Sequence, residues 1–219
     1  MDITHESSNM LKLIVFDCDG VLFDSREANR LYYNDLLSAF DQPPMDDREL
    51  EFVHSHSVTD SVSHIFRNYP ATDLEAVHRY RQSHSYTPYL AHMVMEPDLL
   101  EFLNTVKDRY HLAISTNRAA TMEPLLEAYG LTDYFELVVT SMDVDNPKPA
   151  PDALLKIFSH FNCSPEETIF IGDSVIDQQH AENAGVDLIA FKNKLLQARY
   201  HTDRFMQILE LKPFHHLAR

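Results

Sequence analysis

The chain has 219 residues, 44% hydrophobic and 24% charged, enough for one large domain or a core with a small insert. A formal net charge of −16, with no basic stripe, argues against a nucleic-acid partner. No apolar run reaches the roughly 18 residues of a membrane helix, which argues against a membrane partner. The polar opening MDITHESSNM is read as a frayed lead-in, neither signal peptide nor anchor. Short apolar, often β-branched runs then recur along the chain: LKLIVF (11–16), HLAIS (111–115), FELVVT (135–140), TIFIG (168–172) and VDLIAF (186–191). Each reads as a strand buried on both faces, as in a parallel sheet. Helical patterns separate the later strands, at 98–110, 119–130, 150–161 and 174–185, the second and fourth closing on Gly130 and Gly185. Alternation of this kind implies an α/β, Rossmann-like doubly wound sheet.

Residues 25–91 break the rhythm. They carry helical pieces and no convincing strand, so they are assigned to a helical cap inserted after the first strand. The α/β core is then 1–24 and 92–219. Two cysteines, Cys18 and Cys163, lack CxxC spacing, which argues against a disulfide scaffold and for a reducing, cytoplasmic setting. Thirteen histidines form no zinc motif, and most are read as surface or helix-face residues.

The chemistry gathers at strand ends. Asp17 and Asp19, one residue apart and followed by Gly20, close the first strand; Ser115, Thr116 and Asn117 close the second; Gly172 and Asp173 close the fourth. Open α/β sheets bind ligands beyond the carboxyl ends of their strands. Only four glycines occur in the chain, and two lie beside these carboxylates, where backbone must come close to a ligand. Several carboxylates gathered in one place repel unless a cation sits among them, and oxygen-only donors suit Mg²⁺. Lys148, in a loop stiffened by Pro147, Pro149 and Pro151, adds a second local cation to an acidic protein.

The segments DCDGVLFDS, ISTN, NPKPAPD and IFIGDSVIDQQHAENAG resemble, in order and spacing, the four motifs of the haloacid dehalogenase superfamily. The cap after the first motif is similar to that of its phosphoglycolate phosphatase and β-phosphoglucomutase-like branch, and the resemblance spans about residues 11–210. It implies a Mg²⁺-dependent phosphatase that hydrolyses a small phosphomonoester through an aspartyl-phosphate. By that resemblance Asp17 is the nucleophile and Asp19 the general acid and base. Asp17, the backbone carbonyl of Asp19, and Asp173 are the metal ligands. Thr116 and Lys148 contact the phosphoryl group, Asp177 orients Lys148 or metal-bound water, and backbone N–H groups near Gly20 and Asn117 complete the cradle. Ser115 is the rival of Thr116. Arg118 is read as a surface arginine rather than a substrate contact.

Substrate choice is expected to lie in the cap, with Asn29, Tyr33, His56 and Ser57 as candidate contacts. The loop HSHSVTD (54–60) departs from the family, which often has a glycine there, and Asp98 stands where a Pro-Gly turn is usual. The expected partner is a small phosphorylated metabolite, and composition does not fix the oligomeric state. A sugar-phosphate mutase, a pyrophosphatase or a phosphonate hydrolase share the catalytic set and stay open as alternatives. A binding module that kept the fold without activity is disfavoured by the complete set, and dehalogenase action by the presence of Asp19.

Overall fold

A computed structural model describes residues 10–56 and 58–217 of the chain. The lead-in before residue 10 lies outside them. The described residues fall into two compact units, one comprising the chain up to Leu22 and from Met95 onward, the other Phe23–Val94.

The first unit is built on strands β1 (Leu13–Phe16), then, beyond the second unit, β4 (His111–Ser115), β5 (Leu137–Val139), β6 (Thr168–Gly172), β7 (Asp187–Phe191) and β8 (Tyr200–Thr202). Their order in the sheet is β5-β4-β1-β6-β7-β8, and every pairing is parallel. Helices α5 (Leu99–Val106), α6 (Met122–Ala128), α7 (Asp152–Phe161), α8 (Val175–Ala184) and the short α9 (Phe205–Ile208) cover its faces. The central strand β1 is fully buried, as a strand covered on both faces must be. Its side chains alternate. Leu13 and Val15 join a cluster with Leu154, Ile157, Phe170 and Leu188. Phe16 packs from the other face on Phe102, Phe135 and Phe205, at ring distances of 6.2, 5.6 and 6.2 Å.

Register places the chemistry. Phe16 pairs with Ile114 on one side and Ile171 on the other. Asp17, Ser115 and Gly172, each the next residue, therefore leave the sheet at one level. Strand β8 is one that the sequence did not announce, as are the two-residue strands Phe23–Asp24 and Val94–Met95: it is short, on the sheet edge, and only its last residue is buried.

The second unit holds α1 (Arg26–Ser38), α2 (Asp47–Ser55), α3 (Val58–Ile65) and α4 (Leu74–Ser83), with short strands β2 (Phe23–Asp24) and β3 (Val94–Met95) at its ends. A capping box of Asp46 and Glu49 starts α2, and Asp73 caps α4. The helices close over Tyr32, Tyr33, Leu36, Leu37, Leu50, Val62 and Val77.

Candidate active site

Lys148 is the centre of the site. Its ammonium donates to Asp17 Oδ1 at 2.7 Å and to Asp177 Oδ1 at 2.6 Å, with the lysine side chain only 3% exposed. Burial alone would neutralise such a lysine, but the two carboxylates outweigh it and raise its pKa, so it stays charged. Asp177 lies in the first turn of α8, where Ser174 and Asp177 form a capping box. Its Oδ2 accepts from the Ser174 hydroxyl at 2.7 Å and from the backbone N–H groups of Ser174 and Asp173. Burial pushes the Asp177 carboxyl up, but Lys148 and these donors more than offset it, so it is held ionised.

The other carboxylates are less well compensated. Burial, then the charge of Asp177, pushes Asp17 up to about 7 against the pull of Lys148. Burial and the nearby Asp17 raise Asp173 well above the ordinary carboxylate range. Ligand atoms of Asp17, Asp173 and Asp177 lie within 4.8 Å of one another. One lysine does not compensate three clustered carboxyl groups, so Asp17 and Asp173 hold their protons more tightly than ordinary carboxylic acids do. A hard divalent cation fits such a donor set, and Mg²⁺ takes oxygen ligands of this kind. Asp177 has both oxygens engaged by Lys148 and the α8 N-terminus, which leaves Asp17 and Asp173 as the side chains suited to a metal.

The glycines are explained by these carboxylates. Gly20 has φ +80, and a Cβ there would lie 2.0 Å from Asp173 Oδ2. At Gly172 a Cβ would come within 2.4 Å of the Asp177 Cβ. Each glycine leaves the room that an acid occupies.

Thr116 is buried, and its Oγ1 accepts from the Arg118 backbone N–H at 3.1 Å, which leaves its own O–H to donate. Ser115, its rival, turns the other way: its hydroxyl lies 2.9 Å from His180 Nε2 in the interior. Asn117 acts here through its side chain. Its amide brackets the peptide groups of Lys148, donating to the carbonyl at 3.1 Å and accepting from the N–H at 3.0 Å.

Arg118 is not a surface arginine. Its side chain is 7% exposed and forms a fork on Asp19, with Nη2 to Oδ1 at 2.6 Å and Nε to Oδ2 at 3.1 Å. Nη1 donates to the Thr121 hydroxyl at 3.0 Å. Sequence reading missed it because the partner lies 99 residues away; the available signal was an arginine directly after a strand-end Ser-Thr-Asn in a chain poor in cations. His180 was missed likewise: it is fully buried, not a helix-face residue, and its spacing of three from Asp177 puts it on the same side of α8.

The cap candidates divide. Tyr33 is 4% exposed in the helical core of its unit, so a role in touching substrate gives way to packing. Asn29 is half-buried and accepts from the Tyr86 hydroxyl at 2.8 Å. His56 is exposed and stacks on Phe52, its ring 3.7 Å away. Ser57 lies outside the described residues. In the first unit Asp98 does not form a glycine-like turn: it sits at φ −105, buried, and its Oδ2 accepts from Met206 N–H at the start of α9. Cys18 and Cys163 are buried free thiols. Among the described residues no helix is long and apolar enough to cross a membrane.

Comparison with known proteins agrees with this geometry. Residues 14–191 match the family model of haloacid dehalogenase-like hydrolases. A phosphoglycolate phosphatase from Nitrosospira multiformis is 30% identical over 186 residues, 80% of each chain. One from Nitrosococcus oceani is 37% identical over 95 residues, so this chain spans 42% of that relative's length. A subfamily IA hydrolase of the superfamily from Geobacter sulfurreducens superposes with a TM-score of 0.79 at 34% identity, covering 91% of this chain and 95% of that one. The β-phosphoglucomutase of Clostridium difficile, at 19% identity and a TM-score of 0.78, shares the fold. The chain belongs to the haloacid dehalogenase-like hydrolases.

Proposed function

We propose that this hydrolase is a Mg²⁺-dependent phosphatase of small phosphomonoesters that works through an aspartyl-phosphate on Asp17. The observation that carries the reading is the convergence of three separate segments: the Lys148 ammonium sits on Asp17 and Asp177, and ligand atoms of Asp17, Asp173 and Asp177 lie within 4.8 Å of one another. Phosphoryl transfer needs positioning and charge neutralisation more than covalent machinery, and this cluster offers both.

In the first step an Asp17 oxygen bonds to phosphorus as the ester oxygen departs. Asp19, two residues on, gives that oxygen its proton. In the second step Asp19 takes a proton from water as the water oxygen bonds to phosphorus, and the bond to Asp17 breaks to release inorganic phosphate. Lys148 and the Thr116 hydroxyl neutralise and hold the non-bridging oxygens. Asp177 keeps the lysine charged and aimed. Asp17, the Asp19 backbone carbonyl and Asp173 would hold Mg²⁺, which when bound would supply positive charge that favours ionised Asp17 and offsets the charge of the phosphoryl group.

The relatives named phosphoglycolate phosphatase make phosphoglycolate the first ester to try, and the free thiols fit a reducing, cytoplasmic setting. The test is phosphate release from phosphoglycolate, pentose and hexose phosphates, nucleotides and an aryl phosphate, with Mg²⁺ or with chelator. Metal-dependent release is expected, with one ester favoured. Isomerised sugar phosphate without free phosphate would replace the phosphatase with a mutase. Asp17→Asn should be inactive and folded; wild-type turnover by that variant would remove the covalent mechanism.

A further inference from the structure

Three consecutive backbone carbonyls, those of Lys148, Pro149 and Ala150, each accept a hydrogen bond from a side chain. Asn117 Nδ2 reaches the first at 3.1 Å, Asn183 Nδ2 the second at 2.9 Å, and His180 Nδ1 the third at 2.7 Å. Asn117 also accepts from the Lys148 N–H at 3.0 Å. A loop normally leaves its carbonyls to water; side chains have taken over all three here.

Two of the three donors stand on α8, and so does Asp177. The positions 177, 180 and 183 are three apart and follow one side of the helix. One rigid element thus holds Lys148 twice, at the ammonium through Asp177 and at the backbone through His180 and Asn183. The chemistry of His180 is fixed by its partners. Nδ1 faces a carbonyl, so it carries the proton, and Nε2 accepts from the Ser115 hydroxyl 2.9 Å away. Ser115 ends β4, the strand that delivers Thr116, so the imidazole ties the loop of Lys148 to the strand of Thr116. The ring of Phe170 fills the remaining space, edge-on to His180 at 5.4 Å and 5.3 Å from the Lys148 ammonium.

We propose that His180, with Asn183 and Asn117, is a positioning residue for Lys148: it sets the path of the loop 148–150 and through it the aim of the ammonium. The inference rests on the proposed role of the site in phosphoryl transfer. A buried lysine between two carboxylates has little freedom at its tip, so its backbone must be placed to match, and a misplacement of about 1 Å can cost 10²-fold in rate.

The experiment compares wild type with His180→Leu, His180→Gln, Asn183→Ala and Asp17→Asn, using the favoured ester and Mg²⁺, with melting temperature as a check on the fold. His180→Leu keeps the volume and loses the donor; kcat is expected to fall by about 10- to 100-fold, with KM changing less than threefold. His180→Gln, which restores an N–H donor, should recover part of that loss. Asn183 is exposed, so Asn183→Ala should fold normally and lose a few-fold in kcat. In wild type the ¹⁵N spectrum of His180 should show a neutral ring protonated at Nδ1. Folded His180→Leu with wild-type kcat, or no gain from glutamine over leucine, overturns the proposal. If His180→Leu does not fold, unchanged kcat in Asn183→Ala overturns it. A live Asp17→Asn would instead bring down the reading of the site itself, whereas dead Asp17→Asn beside fully active His180→Leu and Asn183→Ala removes the bracket alone.

Discussion

Arg118 holds both oxygens of Asp19, 2.6 Å from Oδ1 and 3.1 Å from Oδ2. Asp19 is 34% exposed at its side chain and Arg118 7%, so the acid keeps contact with solvent while the arginine that holds it is buried. A carboxylate that must give and then take a proton has to stay in one place between the two events. A planar fork does this better than a point charge.

The first prediction follows from that fork. Arg118→Ala should slow alkyl phosphates by about 10- to 100-fold, a part of the 10²–10⁴ that general acid–base catalysis contributes. An aryl phosphate leaves as a stabilised phenolate and needs the proton less, so its loss should be several-fold smaller. Arg118→Lys keeps the charge without the fork and should fall between. The measurement is kcat on a matched pair of esters; an equal loss on both would separate Arg118 from proton transfer.

The second prediction concerns Gly20. Alanine there would put a methyl 2.0 Å from Asp173 Oδ2 at a backbone φ of +80. Strain in the left-handed region is on the order of 1–2 kcal/mol, and the clash with Asp173 adds to it. Gly20→Ala should therefore lower the melting temperature and raise the Mg²⁺ concentration needed for half-maximal activity by tenfold or more. An unchanged Mg²⁺ requirement would show that Asp173 is not held in place by this contact.

The third prediction is about charge. Asp17 and Asp173 repel within a buried site, and Lys148 is shared with Asp177. Asp173→Asn should raise the melting temperature in chelator, because without metal the fold pushes the Asp173 carboxyl well above its ordinary range, a cost that the amide does not carry. The same variant should lose the stabilisation that Mg²⁺ gives to wild type. Thermal melts of both proteins with and without Mg²⁺ decide it. A wild-type Mg²⁺ shift in Asp173→Asn would take Asp173 out of the metal site.

These relationships were legible to different depths. Asp17, Asp173 and Gly20 were readable because parallel strands in register deliver their next residues to one level, so strand ends could be matched without knowing the partners. Arg118 was not, because an ion pair spanning 99 residues leaves no local pattern. His180 looked like one of many helix histidines; only the loop that α8 faces turns it inward. Tyr33 sits on an amphipathic helix, where an aromatic facing its own core and one facing a ligand have the same spacing. Asp98 replaces a usual turn glycine because its carboxylate takes a second task, capping a helix 108 residues later. Strand β8 has one buried residue and therefore little apolar signal.

The fourth prediction uses His180 as a reporter of its own environment. Burial, with Lys148 nearby, lowers its pKa from 6.5 to about 4. In the unfolded chain it titrates near 6.5. Between these values the unfolded state binds a proton that the folded state refuses, so stability rises with pH. The contribution is complete above about pH 6.5 and is lost as pH falls toward 4. At pH 5 the loss attributable to this residue is about 2 kcal/mol relative to pH 7.5. Other groups titrate over the same range, so the informative quantity is a difference. Urea melts at both pH values should show wild type losing about 2 kcal/mol more than His180→Gln, whose side chain has no proton to take up. Equal losses in the two proteins would mean that the buried imidazole takes up its proton as readily as it does in the unfolded chain, so that at pH 5 Nε2 carries a proton and no longer accepts from Ser115.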